Sequence, residues 1–411
     1  SWNVVYDQRM DTSSKSQYTE RAAIPKSIWV LGFVSLLMDI SSEMIHSLLP
    51  LFLVTGLGAS ALTVGAIEGL GQSTALIIKV FSGTLSDYLG NRKYVVLFGY
   101  TMGAATKPVF ALATGVGMIF SAKIIDRIAK GIRSAPRDAL IADLTPKALL
   151  GSAFGLRQSL DTVGAILGPL LAVGLMLLWA NDFRAVFWVA VIPGALAALL
   201  FAIGIKEPVH ATNASAERLN PISRKNLKRM SAPFWWVTAI GGIFTLARFS
   251  EAFLVLRAEQ TGAALALVPL VMVVMNLVYA STAFPFGKLS DRMSHRKLLT
   301  IGLFVLFAAD LVLANSTHWS GVMLGVALWG VHMGITQGLL ATMVASAAPE
   351  DLRGTAFGFF NLVSGLAMLT ASITAGFLWD QMGAASTFYA GAIFCVIALV
   401  MLLTRPRPQL N

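Results

Sequence analysis

Gly83-Thr-Leu-Ser-Asp87-Tyr-Leu-Gly-Asn-Arg92-Lys93 returns half a chain later as Gly287-Lys-Leu-Ser-Asp291-Arg-Met-Ser-His-Arg296-Lys297. Gly, Leu, Ser, Asp, Arg and Lys match in register, and Ser294 stands where the first copy has Gly90. Each copy follows an apolar run long enough to cross a bilayer and precedes another. A charged stretch repeated in so apolar a chain implies two homologous halves. A second repeat agrees: Gly151-Ser-Ala-Phe-Gly155 recurs as Gly354-Thr-Ala-Phe-Gly358.

The 411 residues are 56% hydrophobic and 13% charged. That leaves too little charge to cover a soluble surface and implies a polytopic membrane protein. At about 20 apolar residues per crossing, the chain accommodates roughly twelve spans. The expected spans are 28–54, 62–87, 94–113, 117–137, 151–179, 185–205, 233–256, 264–288, 298–315, 319–347, 354–379 and 384–403. Lipid offers no hydrogen-bond partner to the backbone, and the runs do not alternate in polarity, so the spans are helices. The expected fold is all-α: a polar tail (1–27), a six-helix half (28–205), a basic linker (206–232), a second six-helix half (233–404) and a short tail (405–411).

Lys and Arg crowd the connections on the side of the N-terminal tail, whereas the other side has Arg184 and Arg257. The positive-inside rule then places both termini in the cytoplasm of an inner-membrane protein. The same rule accounts for the net charge of +10 without nucleic acid. A single cysteine, Cys395, excludes an internal disulfide and any multi-cysteine metal site. No Walker A loop, G-x-S-x-G elbow or H-E-x-x-H motif occurs, so neither ATP hydrolysis nor ordinary enzymology is expected, and no cofactor is implied.

The paired loop resembles the motif G-x-L-(A/S)-D-x-x-G-x-(R/K)-(R/K) of the major facilitator superfamily. That resemblance implies a twelve-helix transporter with two pseudo-symmetric halves. It makes Gly83, Asp87, Arg92, Lys93, Gly287, Asp291, Arg296 and Lys297 the gating motif, which latches one state and breaks as the halves rock. Gly155, Gly164, Gly168 and Pro169 in the fifth span are similar to the superfamily's antiporter motif, although Ala172 and Val173 stand where it ends in two glycines. In the family this motif marks exporters that exchange substrate for protons. The fourth span, Lys123 to Ala135, resembles a further family motif whose arginine, here Arg127, is linked to proton transfer.

Charges inside a bilayer are costly and face a cavity or one another. Asp126, Arg127, Lys130 and Arg133 follow helical spacing along one stripe of the fourth span, and Asp126 is in position to pair with Lys130. Arg157 with Asp161, and Arg248 with Glu251, have the spacing of local pairs, and Glu251 occupies the half-repeat position answering to Glu43. Glu68, Lys79, Lys107, Asp310, His332 and Gln337 are further candidates. Asp39, Glu43 and His46 recur at i, i+4 and i+7 on one face of the first span. As carboxylates moved between cavity and bilayer they suit proton coupling. As a carboxylate–imidazole set they suit a divalent metal, which is similar to the ferroportin branch of the superfamily.

The expected function is alternating access with proton-coupled export of a small polar or amphiphilic molecule (a drug, metabolite or organic anion) by a monomer in the bilayer. The alternatives are a divalent-metal or metal-chelate transporter and a non-transporting receptor on the same fold.

Overall fold

The computed structural model describes residues 24–89, 91–146, 149–206, 224–290, 292–349 and 352–404. Expectations for the two tails, most of the linker, and Gly90 and Asp291 lie outside them. The described residues form helices joined by short turns.

Eleven stretches are long and apolar enough to cross a membrane. In order they are Lys26–Gly56, Ala61–Gly83, Arg92–Leu112, Leu150–Leu178, Phe183–Gly204, Ala232–Gln260, Leu265–Leu289, His295–Asn315, Trp319–Ala347, Arg353–Met382 and Ala384–Thr404. The missing fourth span is the helix Val116–Leu144, which is as long as its neighbours but carries Lys123, Asp126, Arg127, Lys130 and Arg133. It remains a span because all of these except Lys130 are buried against protein. The architecture is therefore the expected twelve-helix bundle in two six-helix halves.

Polar residues at the turns start several helices. Asp182 accepts from the N–H groups of Arg184 and Ala185 at 3.0 and 3.1 Å, and Ser231 accepts from Phe234. The same chemistry explains the mismatch in the repeated loop. Asn91 caps the third span through Tyr94 N–H, whereas Ser294 caps the ninth through Lys297 N–H. The second copy has moved its cap one residue earlier, to the position held by Gly90 in the first.

The opening helix of each half is interrupted. The first span is regular to His46, turns at Ser47 and Leu48, and continues through a π-helical turn at Phe52–Gly56. The seventh is helical over Ala232–Ala247, unwinds, and resumes at Ala252–Gln260. Irregular backbone at membrane depth requires protein partners or a water-lined cavity. Here Ser250 N–H donates to Ser372 Oγ, and Phe249 packs on Phe253, Trp329 and Phe388 with ring centroids 5.5–5.6 Å apart.

The halves meet on the side away from the termini. The start of the second span lies against the end of the eleventh. A Cβ added to Gly65 would overlap Ser372 O, and one on Gly376 would fall 2.5 Å from Ala61 O. Small residues permit this approach, as elsewhere in lipid. Asp380 of the eleventh span accepts from Ala61 and Leu62 N–H at 3.0 and 2.8 Å, capping the second span across the divide. On the terminal side, positions such as Gly155 and Gly354 have nothing within 4 Å of an added Cβ. The halves are closed against one another on the far side.

Candidate functional site

A cavity of about 390 Å³ lies between the halves. Glu43, His46, Glu68, Lys123, Arg127 and Lys130 line it from the N-terminal half, and Arg248, Glu251 and Gln337 from the other. The break in the seventh span thus forms part of its wall, and Glu43 faces Glu251 across the pseudo-symmetric divide, as the half-repeat suggests.

Behind this wall the fourth span is held by pairs that cross between helices. Lys107 Nζ donates to Asp126 Oδ1 at 2.8 Å and to Ser42 Oγ at 3.0 Å, with both members of the ion pair buried. Lys123 Nζ donates to Glu68 Oε1 at 2.7 Å. Breaking such a pair would strand a charge, so the pairs fix how the second, third and fourth spans sit together. The intrahelical pairing of Asp126 with Lys130 expected from spacing does not form. Asp126 turns towards Lys107, Thr106 and His46, whereas Lys130 is exposed in the cavity. Two side chains at helical spacing can meet, but the fully buried Lys107 ammonium on the third span competes for the carboxylate and has no other ion-pair partner among the described residues.

Arg127 Nη2 lies 2.7 Å from His46 Nδ1 and 2.8 Å from Nε2. A guanidinium can only donate and an imidazole offers at most one acceptor nitrogen, so only one of these two contacts is a hydrogen bond. His46 also sits 3.6 Å from Asp126 Oδ2 and 3.9 Å from Glu43 Oε1. Arg127 and Lys107 are therefore interleaved with the acids. Among the described residues no group of three His, Cys, Asp or Glu side chains is arranged to hold a metal ion. Asp39 does not join Glu43 and His46 on the cavity wall.

Asp39 instead faces the fifth span. A Cβ on Gly164 would fall 2.9 Å from Asp39 Cβ and 2.8 Å from Leu36 O, and one on Gly168 would fall 2.8 Å from Glu43 Cβ. Two of the three motif glycines thus lie on the face of the first span that carries its acids, and Pro169 is buried beside them. A Cβ added to Gly155 would have nothing within 4 Å.

The other sequence candidates divide. Arg157 pairs with Asp161 at 2.5 Å as expected, away from the cavity lining. Arg248 and Glu251 do not pair, because the helix that would align them is unwound between them. Arg133 lies over the Tyr100 ring at 5.0 Å, also away from the cavity. Asp310 and His332 are fully buried inside the C-terminal half. In the gating loops Arg92 pairs with Asp143 at the end of the fourth span, and Arg296 donates to Leu403 O at 2.9 Å. A Cβ added to Gly83 would meet Ala135 Cβ at 3.4 Å, an ordinary contact distance. Sequence reasoning misses Asp380, whose only signal is an acid at the end of an apolar span.

Two six-helix halves, a central charged cavity, interrupted opening helices and one closed side define a membrane transporter. The Major Facilitator Superfamily model matches residues 31–366 and 245–411, and the chain belongs to that family. It is 34% identical over 388 residues to an uncharacterized MFS-type transporter of Methanocaldococcus jannaschii, covering 92% of this chain and 95% of the relative. It is 26% identical over 196 residues to the quinolone resistance protein NorA of Staphylococcus aureus, covering 48% of this chain and 49% of NorA. Among solved structures, a POT family transporter in complex with 5-aminolevulinic acid superposes with a TM-score of 0.78 at 13% identity, covering 92% of this chain and 95% of that one.

Proposed function

We propose that this protein is a proton-coupled exporter, exchanging protons for a small polar or amphiphilic molecule across the inner membrane with both termini in the cytoplasm. The observation that carries the proposal is the placement of Glu43. It is a carboxyl group on the wall of the central cavity, backed directly by Gly168 of the antiporter-like motif. A group so placed exchanges protons with whichever side the cavity faces. The packing behind it couples its state to the angle between first and fifth spans. The likeness to NorA over half the chain supports export. The basic connections on the terminal side support the orientation. Lys107–Asp126 and Lys123–Glu68 serve as the rigid frame against which Glu43 and His46 move.

The test is flux in vesicles reconstituted with the purified chain under an imposed proton gradient. Glu43→Gln is expected to abolish proton-driven flux while leaving substrate exchange at equal pH. Full proton-driven flux in Glu43→Gln would remove Glu43 from the coupling. Absence of any flux across a broad solute panel would favour a receptor on this fold.

A further inference from the structure

The charges of the cavity specify the cargo more narrowly than the fold does. Seven acidic or basic side chains besides His46 line it: the cations Lys123, Arg127, Lys130 and Arg248, and the acids Glu43, Glu68 and Glu251. Lys123 and Glu68 cancel at 2.7 Å. Among the lining side chains three cations then face two acids, and Asp39, behind the wall, also acts electrostatically on Lys130. Neither acid forms an ion pair with any of the three among the described residues. The Lys130 side chain extends into the cavity without a hydrogen bond or ion pair among the described residues, and the same holds for Arg248 on the opposite half. Arg127 is 3% exposed. It spends Nη2 on His46, leaving Nε buried without a hydrogen-bond partner 3.6 Å from Asp126 Oδ2. That acid is already engaged by Lys107.

We propose that Arg127 and Lys130 of the fourth span, together with Arg248 of the seventh, bind the negative group of the cargo, which makes the transported molecule a small organic anion. The inference rests on the transport reading but not on its direction. Arg127 and Lys130 are one turn apart on one helical face, so a single oxyanion reaches both. Arg248 comes from unwound backbone and completes the site from the other half. While the cavity is open, water solvates these cations. When the halves close, that water leaves, and a cation without a counter-charge resists closure. A bound carboxylate, phosphate or sulfonate supplies the missing charge to both halves at once. The volume of about 390 Å³ suits one small molecule and lies near the lower end of ligand pockets.

The experiment measures binding to the purified full-length protein in detergent by calorimetry and thermal shift. The probes are benzoate, phenyl phosphate and benzenesulfonate against benzylammonium, matched in size and opposite in charge. At least one anion is expected to bind and stabilise the protein while benzylammonium does not. Lys130→Gln and Arg248→Gln should each weaken the anion on the order of tenfold or more, the scale of a hydrogen bond to a charged group. Lys130→Arg should retain binding, which separates charge from folding. Glu251→Gln, which removes a competing carboxylate, should tighten it. Binding of benzylammonium alone, no binding by any probe, or anion binding unchanged in both cation variants overturns the proposal. Tighter anion binding in Glu43→Gln supports the anion site while counting against export, because proton and anion then favour one another in the cavity. An anion that binds but shows no flux sinks transport and leaves the site.

Discussion

Gly168 of the fifth span presses on Glu43 of the first: a Cβ at residue 168 would lie 2.8 Å from Glu43 Cβ and 2.9 Å from Ile40 O. The contact joins the span with the export-type glycine pattern to the acid on the cavity wall.

Gly168→Ala therefore overpacks a helix contact that has backbone on one side and cannot yield by rotating a side chain. A cost of about 1–3 kcal/mol is expected, with reduced transport. Gly155→Ala is the internal control. Nothing lies within 4 Å of its Cβ, so the change should leave transport intact and stabilise the helix slightly, by up to about 1 kcal/mol. Thermal unfolding and vesicle flux on the two variants check this. Equal behaviour would mean that the glycines act only through propensity.

Lys107 and Asp126 form a buried pair at 2.8 Å between third and fourth spans. Lys107→Met strands the carboxylate and should cost about 3–5 kcal/mol, read as a large drop in melting temperature. The double variant Lys107→Met with Asp126→Asn removes both charges and should recover most of the loss. A single variant as stable as wild type would show that His46 and Arg127 suffice to hold Asp126.

Asp380 caps the second span from the opposite half, accepting two N–H donors. Asp380→Ala removes a cap worth about 0.5–2 kcal/mol and should shift the population towards opening on the far side by a factor of about 2–30. Ser73, 2% exposed and packed against Gly365, is the reporter. Ser73→Cys in a Cys395→Ala background should label faster with an impermeant thiol reagent added from the far side once Asp380 is removed. Unchanged labelling would place the latch elsewhere.

The cavity acids make a further prediction. Glu43 and Glu251 line one space from opposite halves but have different neighbours: Glu43 has His46 at 3.9 Å, whereas Glu251 sits in unwound backbone without an ion pair among the described residues. Glu43→Gln should abolish proton-driven flux, while Glu251→Gln should chiefly change apparent substrate affinity. The separation of maximal rate from half-saturation in initial-rate flux decides between them. Identical defects in both variants would mean that the two acids act as one proton site.

The repeated loop, the apolar runs and the spacing of the intramembrane charges make the twelve-helix, two-half fold legible in the amino-acid sequence. Each is a local or periodic signal, and lipid allows helices few alternatives. The fourth span is recognisable despite its charge, because a helical stripe of ionised residues in an apolar chain needs protein around it. Glu43, His46, Arg127, Lys130, Arg248 and Glu251 stand out by residue type and spacing, and they share one cavity. Asp39, Arg133, Arg157 and Asp161 carry the same sequence signal but pack elsewhere. Helical spacing says which side chains share a face of one helix. It does not say which neighbouring helix that face meets.

Pairing is the least legible property. Spacing assigns Asp126 to Lys130 and Arg248 to Glu251. The folded chain gives Asp126 to Lys107, from another span, and unwinds the backbone between Arg248 and Glu251. Composition, the length of the apolar runs and the repeated loop are enough to establish that this chain crosses a membrane many times, in two related halves, with charges that cannot face lipid. The packing of the helices against one another settles which charges cancel and which remain open to a ligand. It also settles which side is shut, because these properties depend on distances between helices far apart in sequence. A buried charge takes its partner from whichever helix the packing brings within about 3 Å of it.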